Sequence, residues 1–338
     1  MEPIIKMNHI TKEFKILNRR EGLRGSFMDL FSRNYNTIKA VNDVSFAIEK
    51  GEMVGYLGPN GAGKSTTIKM MTGVLEPTSG TIMVNGRIPY KNRTQNAQNI
   101  GVVFGQRSQL WWILPVIESF KILKDIYQVS DDDYKSRIGL YESLVDIKSL
   151  YSKPVREMSL GQRTLCDILA AFLHNPSVIF LDEPTIGLDV SMKAKIRELI
   201  KELNIRQNTT VILTTHDIGD VDALCKRIII IDKGSVLYDN TAENLKVFFG
   251  DYRTLKLKFH EEYEAGFITE KLRARFAGAA SITVTGGGEW LSILSKEEEA
   301  PVMEILRFMQ GFTRIADIKI EEIGTEDIIK KIYEGGAV

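Results

Sequence analysis

Met53-Val54-Gly55-Tyr56-Leu57-Gly58-Pro59-Asn60-Gly61-Ala62-Gly63-Lys64-Ser65-Thr66 is the stretch whose reading decides the fold. Its first five residues form a mostly apolar run that reads as a buried strand. Gly58 to Ser65 then fits the phosphate-loop (Walker A) pattern G-x-x-x-x-G-K-S, and a helix is predicted from Ser65, so the motif has both flanks it needs. Glycines let backbone N–H groups close around phosphate oxygens, and the helix N-terminus adds its dipole. Lys64 is expected to reach the β- and γ-phosphates of a nucleotide, and Ser65 to hold Mg²⁺.

Outward from this stretch, residues 4–7 and 44–48 read as strands, and residues 116–173 as helical. Strand and helix then alternate at residues 178–181, 191–206, 210–214, 220–224 and 228–232, which predicts an α/β domain with a largely parallel sheet covered by helices. Within it, Val178-Ile179-Phe180-Leu181-Asp182-Glu183 is an apolar strand ending in two acids. Such a strand carries Asp182 to the carboxyl edge of the sheet, beside the phosphate loop, where it can orient Mg²⁺ through water. Glu183 can then polarise an attacking water as general base.

The first domain is expected to span residues 1–250 and a second, smaller one residues 251–338. In the second, Leu255, Leu257 and Phe259 alternate with Lys256 and Lys258, as in a half-buried strand. A helix at 268–276, strands at 281–285 and 290–294, a helix at 301–309 and a strand at 315–320 complete a βαββαβ order, which predicts a small α+β ferredoxin-like unit. Gly286-Gly287-Gly288 reads as its hairpin loop. No tandem copy of the first domain follows, so one chain carries one half of the nucleotide machinery.

Taken together, these motifs resemble the ATP-binding cassette ATPases over about residues 3–249. Met158-Ser159-Leu160-Gly161-Gln162 stands where that family has its LSGGQ signature. Gln106, after Val102-Val103-Phe104-Gly105, is similar to the family's Q-loop glutamine; Gly187-Leu188-Asp189 is similar to its D-loop; His216, in Thr214-Thr215-His216-Asp217, is similar to its switch histidine. Phe14 resembles the aromatic that stacks on adenine, with Tyr35 as the alternative. The chain departs from the family at Leu160, where glycine is usual, while Ser159 and Gly161 remain. SLGQ, together with Gln106-Arg107 and Gln109-Leu110-Trp111-Trp112, resembles a branch of bacterial drug- and polymer-exporting ATPases.

The resemblance implies a RecA-like core, an antiparallel β subdomain and a helical subdomain. It implies ATP and Mg²⁺ held by Gly58, Pro59, Asn60, Gly61, Ala62, Gly63, Lys64, Ser65 and Thr66, with Ser65, Gln106 and Asp182 about the metal. Glu183, His216, Gln106 and Lys64 are the implied catalytic residues. A head-to-tail dimer, of two copies or of paralogues, caps the nucleotide of one subunit with Ser159, Gly161, Gln162 and Asp189 of the other. The motor drives integral-membrane permease subunits from the cytoplasmic face of the membrane. Trp111 and Trp112 sit where the family grips its membrane subunit; the alternative is that both are core.

Composition narrows the field. Lys plus Arg and Asp plus Glu each number 44, so the chain lacks the basic footprint of a nucleic-acid binder. Cys166 and Cys225 lack CxxC spacing and read as buried reduced thiols. Residues 1–11 have no signal-peptide core, and no stretch approaches the roughly 18 apolar residues of a membrane span. Any work at a membrane is expected to be done by docking. The competing reading is a soluble ATPase of the same kind that regulates translation or DNA repair, but those relatives carry two cassettes or a long coiled coil. The presence of Glu183 and His216 argues against a catalytically dead module. Residues 18–36 read as an insertion with Leu23, Phe27, Leu30 and Phe31 on one helical face beside Arg19, Arg20, Arg24 and Arg33. Such a helix can pack on its own domain, or rest on a membrane surface or permease loop.

Overall fold

The computed structural model describes residues 2–17, 35–104, 108–215, 217–248, 251–260, 263–276, 282–287 and 289–333. It divides into two compact units, Met1–Asn240 and Thr241–Val338.

The first unit is built on a six-stranded sheet. Its strands are β3 (Met53–Leu57), β5 (Ile100–Phe104), β6 (Val178–Asp182), β7 (Thr210–Thr214), β8 (Arg227–Asp232) and β9 (Ser235–Thr241), in the order β5-β6-β7-β3-β8-β9. β5, β6, β7, β3 and β8 pair in parallel. Parallel strands covered on both faces read as unbroken apolar runs. Val178, Ile179, Phe180 and Leu181 are accordingly fully buried, as are Ile228, Ile229 and Ile230. β8 turns into β9 through Lys233 and Gly234, both at positive φ, as a two-residue hairpin requires.

A second, antiparallel sheet orders β1 (Ile5–Leu17) and β2 (Tyr35–Ile48) with β4 (Ser79–Val84) as β2-β1-β4. Ile5, Met7, Ile10, Val41, Val44 and Ile48 bury its inner face. Both long strands run past the core, to Leu17 opposite Tyr35. This corrects the expected insertion: Tyr35 and Asn36 are strand residues, paired with Leu17 and Ile16. The extension is held by backbone pairing, and its apolar side chains Ile16, Tyr35 and Ile38 are about half exposed. The rest of the insertion, residues 18–34 with Leu23, Phe27, Leu30, Phe31 and the four arginines, lies outside the described residues.

Helices α1 (Lys64–Met71) and α2 (Arg93–Ala97) precede a helical middle of α3 (Val116–Ile126), α4 (Asp131–Leu144) and α5 (Leu160–Phe172). Ser130 caps α4, accepting from Asp133 N, and Asp131, Asp132 and Asp133 face the positive end of its dipole. α5 opens on a capping box in which Ser159 and Gln162 bond each other's backbone. Its inner face, Cys166, Ile168, Leu169 and Phe172, is fully buried. α6 (Val190–Gln207) and α7 (Ile218–Leu224) complete the unit. Cys166 and Cys225 are both free and buried, and burial pushes each thiol up to about 12.

The second unit contains α8 (Ala242–Phe248), β10 (Tyr252–Phe259), α9 (Ala265–Arg275), β11 (Thr283–Gly287), β12 (Trp290–Lys296), α10 (Val302–Gln310), β13 (Ile315–Glu322) and α11 (Thr325–Tyr333). Its sheet orders β11-β12-β10-β13, every neighbouring pair antiparallel, which is the split-βαβ arrangement of a ferredoxin-like sandwich. Leu255, Leu257, Ile268, Leu272, Ile293, Ile305 and Met309 form its own core. The unit takes in α8, ten residues earlier than the expected boundary at 250, because α8 packs on α11. Gly286 and Gly287 are not a hairpin loop: they pair with Leu291 and Trp290 in β11, a role that needs only backbone. Gly288 lies outside the described residues. Among the described residues no helix is long and apolar enough to cross a membrane.

Gly101 marks where β5 runs against α5. A Cβ there would stand 2.6 Å from the carbonyl oxygen of Ala171 and 3.1 Å from Ile179 Cγ1. Gly101→Ala is therefore expected to cost roughly 1–3 kcal/mol. Urea unfolding should show a lower midpoint with an unchanged slope.

Candidate active site

Because its central strands are parallel, the first unit gathers the carboxyl ends of β3, β5, β6 and β7 on one edge. Phe104, Asp182 and Thr214 lie in one row across β5, β6 and β7. The phosphate loop leaves β3 on this edge and enters α1.

Gly61 and Gly63 adopt φ of 84° and 107°, and Gly63 is the left-handed cap of α1. A Cβ on Gly63 would lie 2.4 Å from Ala40 O, and one on Gly58 2.5 Å from Ile231 O. The loop is thus wedged between β2 and the end of β8. Ala62 is buried, donating to Pro59 O at 3.1 Å and accepting from Gly234 N at 3.0 Å. Asn60 and Ser65 are exposed; Pro59 and Thr66 are half-buried. The first-turn N–H groups of α1 have no acceptor within their own helix, which suits them to anionic oxygen.

Lys64 is half-buried, and its Nζ donates to Gly58 O and Pro59 O. Burial holds its pKa below the usual lysine value, while the charges of Glu183 and then Asp182 oppose that shift. Lys64 therefore shares one electrostatic environment with both acids. Asp182 accepts from the Thr214 hydroxyl. Glu183 turns the chain at a φ of 55°, which non-glycine residues rarely adopt and which clusters at functional sites. Its N–H donates to Thr214 O at 2.9 Å. The hydroxyl of Ser65 and the carboxylate of Asp182 are hard oxygen donors, the set Mg²⁺ requires alongside phosphate oxygens.

Ser159, Gly161, Gln162 and Asp189 form a second group. Ser159 and Asp189 cap α5 and α6. Leu160 lies over the D-loop, its Cδ2 3.2 Å from where a Cβ on Gly187 would stand, and a Cβ on Gly161 would meet Met192 Cγ at 2.6 Å. Among the described residues no hydrogen bond joins these four to the phosphate loop. Phe14, half-buried on β1, pairs with Ile38 and lies 5.4 Å from the Lys12 ammonium; Tyr35 stands three rungs further along the ribbon. Gln106 and His216 lie outside the described residues.

The core alternative for Trp111 and Trp112 is corrected: they are 37% and 52% exposed, and Ile113 is 67% exposed. The Arg163 guanidinium lies 5.2 Å over the Trp112 ring, leaving an apolar surface beside the segment after Gln106.

Two acids escaped the sequence reading. Asp167, on the buried face of α5, accepts from Ser108 Oγ at 2.9 Å and Gln109 N at 3.0 Å, while Gln109 Nε2 donates to Asp167 O at 2.9 Å. The signature helix thereby grips the segment that follows Gln106. A charged residue inside the run Leu165-Cys166-Asp167-Ile168-Leu169 was the available signal. Asp220, fully buried in α7, binds Thr185, Thr215 and Arg197; only its helical phase beside Val221 and Leu224 hinted at burial.

Comparison with known proteins agrees with this geometry. Residues 41–186 match the family model for ABC transporters. The chain is 36% identical over 215 residues to the ABC transporter ATP-binding protein NatA of Bacillus subtilis, covering 64% of this chain and 87% of NatA. It is 35% identical over 211 residues to the linearmycin resistance ATP-binding protein LnrL of the same organism, covering 62% and 67%. Some relatives are much longer: the chain spans 35% of ABC transporter A family member 7 of Dictyostelium discoideum, at 31% identity. A solved dimeric ATP-binding cassette in a post-hydrolysis state, bound to ADP and Pi, superposes with a TM-score of 0.57 at 26% identity over 70% of this chain and 98% of that one.

Burial raises the Asp167 carboxyl from 3.8 to about 6, against the pull of the Ser108 and Gln109 bonds. Between about pH 4 and 6 the folded chain thus keeps a proton that the unfolded chain has released. Stability from this site is present below that window and lost as the pH rises through it. Asp167→Asn keeps an oxygen for both donors and cannot ionise. It should exceed the parent chain in stability by on the order of 1–3 kcal/mol above pH 7, with the difference gone by about pH 4. Urea unfolding at the two pH values measures it.

Proposed function

The chain belongs to the ABC transporter family as an ATP-binding, ATP-hydrolysing subunit, and on that premise we propose that it powers an exporter whose membrane-spanning permease is a separate partner. The observation that carries the chemistry is the shared edge of β3 and β6, where the charges of Asp182 and Glu183 act on Lys64.

Phosphate oxygens are received by the N–H groups of Gly61, Gly63, Lys64, Ser65 and Thr66, and Lys64 turns its ammonium to the β- and γ-phosphates. Phe14 or Tyr35 stacks on the adenine. Ser65 and Asp182, together with Gln106, would hold Mg²⁺, which would neutralise phosphate charge. Glu183 takes a proton from water as the water oxygen attacks the γ-phosphorus and the bond to the ADP oxygen breaks. His216 steadies the γ-phosphate.

Among the described residues, Ser159, Gly161, Gln162 and Asp189 make no hydrogen bond to the phosphate loop of their own chain. That arrangement supports a head-to-tail dimer, with a second copy or a paralogue, in which these four groups close on the partner's nucleotide. ATP drives the permease because it favours the closed arrangement over the open one. Exposed Trp111, Trp112 and Ile113 offer the permease an apolar grip at the cytoplasmic face of the membrane. Export is supported by the SLGQ signature and by the resistance role in the name of LnrL.

Glu183→Gln should bind ATP with near-parental affinity and hydrolyse it about 10²- to 10⁴-fold more slowly, accumulating as a dimer in gel filtration with ATP. Near-parental turnover would remove Glu183 as the base. Co-purification of the chain in detergent with a multispan membrane protein tests the transporter assignment.

A further inference from the structure

The Asp220 carboxylate is fully buried at the first turn of α7, and every donor it meets comes from another segment. Its Oδ2 accepts from Thr185 Oγ1, and from Thr215 Oγ1 at 3.0 Å. Its Oδ1 accepts from Arg197 Nε at 2.7 Å and Arg197 Nη2 at 2.6 Å. Thr185 and Thr215 are themselves buried. Thr185 lies two residues after Glu183; Thr215 immediately precedes His216; Arg197 is on α6, the helix that Asp189 caps. One carboxylate thus ties together the chain segments carrying the base, the switch histidine and the D-loop.

The surroundings tighten the tie. Asp217 accepts from Lys193 and lies 3.5 Å from Arg197 Nη2, so α6 also holds the residue that follows His216 in the sequence. Asp217 N donates to Thr215 Oγ1 at 2.9 Å, which leaves that hydroxyl proton free to point at Asp220. A Cβ on Gly219 would stand 3.1 Å from Arg197 Nη2, so the glycine leaves room for the guanidinium. A buried carboxylate is a weak way to gain stability, since apolar packing of the same volume usually does as well. It is a strong way to fix geometry, because its acceptor directions are satisfied in one arrangement of the donors.

We infer that Asp220, clamped by Arg197, is a positioning residue for hydrolysis: through Thr185 and Thr215 it sets the placement of Glu183 relative to the segment bearing His216. This rests on Glu183 being the general base. Asp220 is buried away from the phosphate loop's own elements, β3 and α1, so it acts on the chemical step and not on ATP binding.

The test is a cycle of variants in the full chain, measuring kcat, ATP affinity by calorimetry and melting temperature. Asp220→Asn removes the charge while keeping the shape; kcat should fall about 10- to 100-fold, the scale of a misplaced catalytic group, with ATP affinity within about twofold. Thr185→Val and Thr215→Val keep volume, remove one donor each, and should each lower kcat with little change in affinity. They carry the test if Asp220→Asn does not fold. In a Glu183→Gln background the Thr variants should have no further effect on the residual rate, because the group they position is gone. Parental kcat in the folded variants overturns the inference, as does loss of affinity and melting temperature in proportion to kcat, or full additivity with Glu183→Gln. Near-parental turnover by Glu183→Gln alone overturns instead the reading on which it rests.

Discussion

The shared carboxyl edge of β3 and β6 is the constraint on which the candidate site depends: it sets the half-buried ammonium of Lys64, bonded to Gly58 O and Pro59 O, within the influence of Glu183 and Asp182. Two carboxylates and a polyphosphate repel one another, so they can share a place only if positive charge and N–H dipoles are fixed there beforehand. A parallel sheet achieves this with little side-chain machinery. Because β3 and β6 run the same way, one delivers the loop and Lys64 and the other the two acids to the same edge. β7 lies between them, and Thr214 serves both sides of the acidic turn: its hydroxyl donates to Asp182 and its carbonyl accepts from Glu183. Close backbone approach then leaves the loop little freedom, since Gly58 and Gly63 touch Ile231 O and Ala40 O so nearly that no side chain fits.

The same economy explains why the signature group stands elsewhere. Ser159 and Asp189 spend their side chains capping α5 and α6, which fixes both helix ends on their own chain. Leu160, unusual for the family, lies over Gly187 and so joins the signature loop to the D-loop within one subunit. A glycine at position 160 would leave that contact unmade.

What was legible in the sequence follows from what is periodic or chemically unambiguous. Residues 178–181 and 228–231 announce central strands because burial on both faces leaves no room for polar residues. The phosphate loop is legible because few arrangements need three glycines, a lysine and a serine at that spacing. The βαββαβ order of the second unit is legible because Leu255 and Leu257 alternate with lysines. The far half of the β1-β2 ribbon was not, since its pairing is a matter of backbone and its side chains face water. Gly286 and Gly287 misled for the same reason. The exposure of Trp111 and Trp112 was open on the sequence because adjacent aromatics fit a core or a docking surface equally well. Asp167 and Asp220 were passed over because their partners lie 59 and 35 residues away, at Ser108 and Thr185.

Those two acids show how the site is held. Each is a buried carboxylate on a helix, and each accepts from a loop that leaves the carboxyl edge of the sheet. Asp167 holds the segment after Gln106 to the signature helix; Asp220 holds the turn after Glu183 and the residue before His216 to α6. They differ in what answers the charge. Asp220 is met by two guanidinium nitrogens of Arg197 on Oδ1 and by two hydroxyls on Oδ2. Asp167 is met by a hydroxyl and an amide, and burial lifts its carboxyl to about 6. Four donors from three segments leave a carboxylate fewer alternative placements than one hydroxyl and one amide do. The segment beside Glu183, the proposed general base, where a displacement of an ångström would cost most, is held by the more constrained set of donors. The segment after Gln106, next to the exposed Trp111 and Trp112, is held by a hydroxyl and an amide on one carboxylate oxygen.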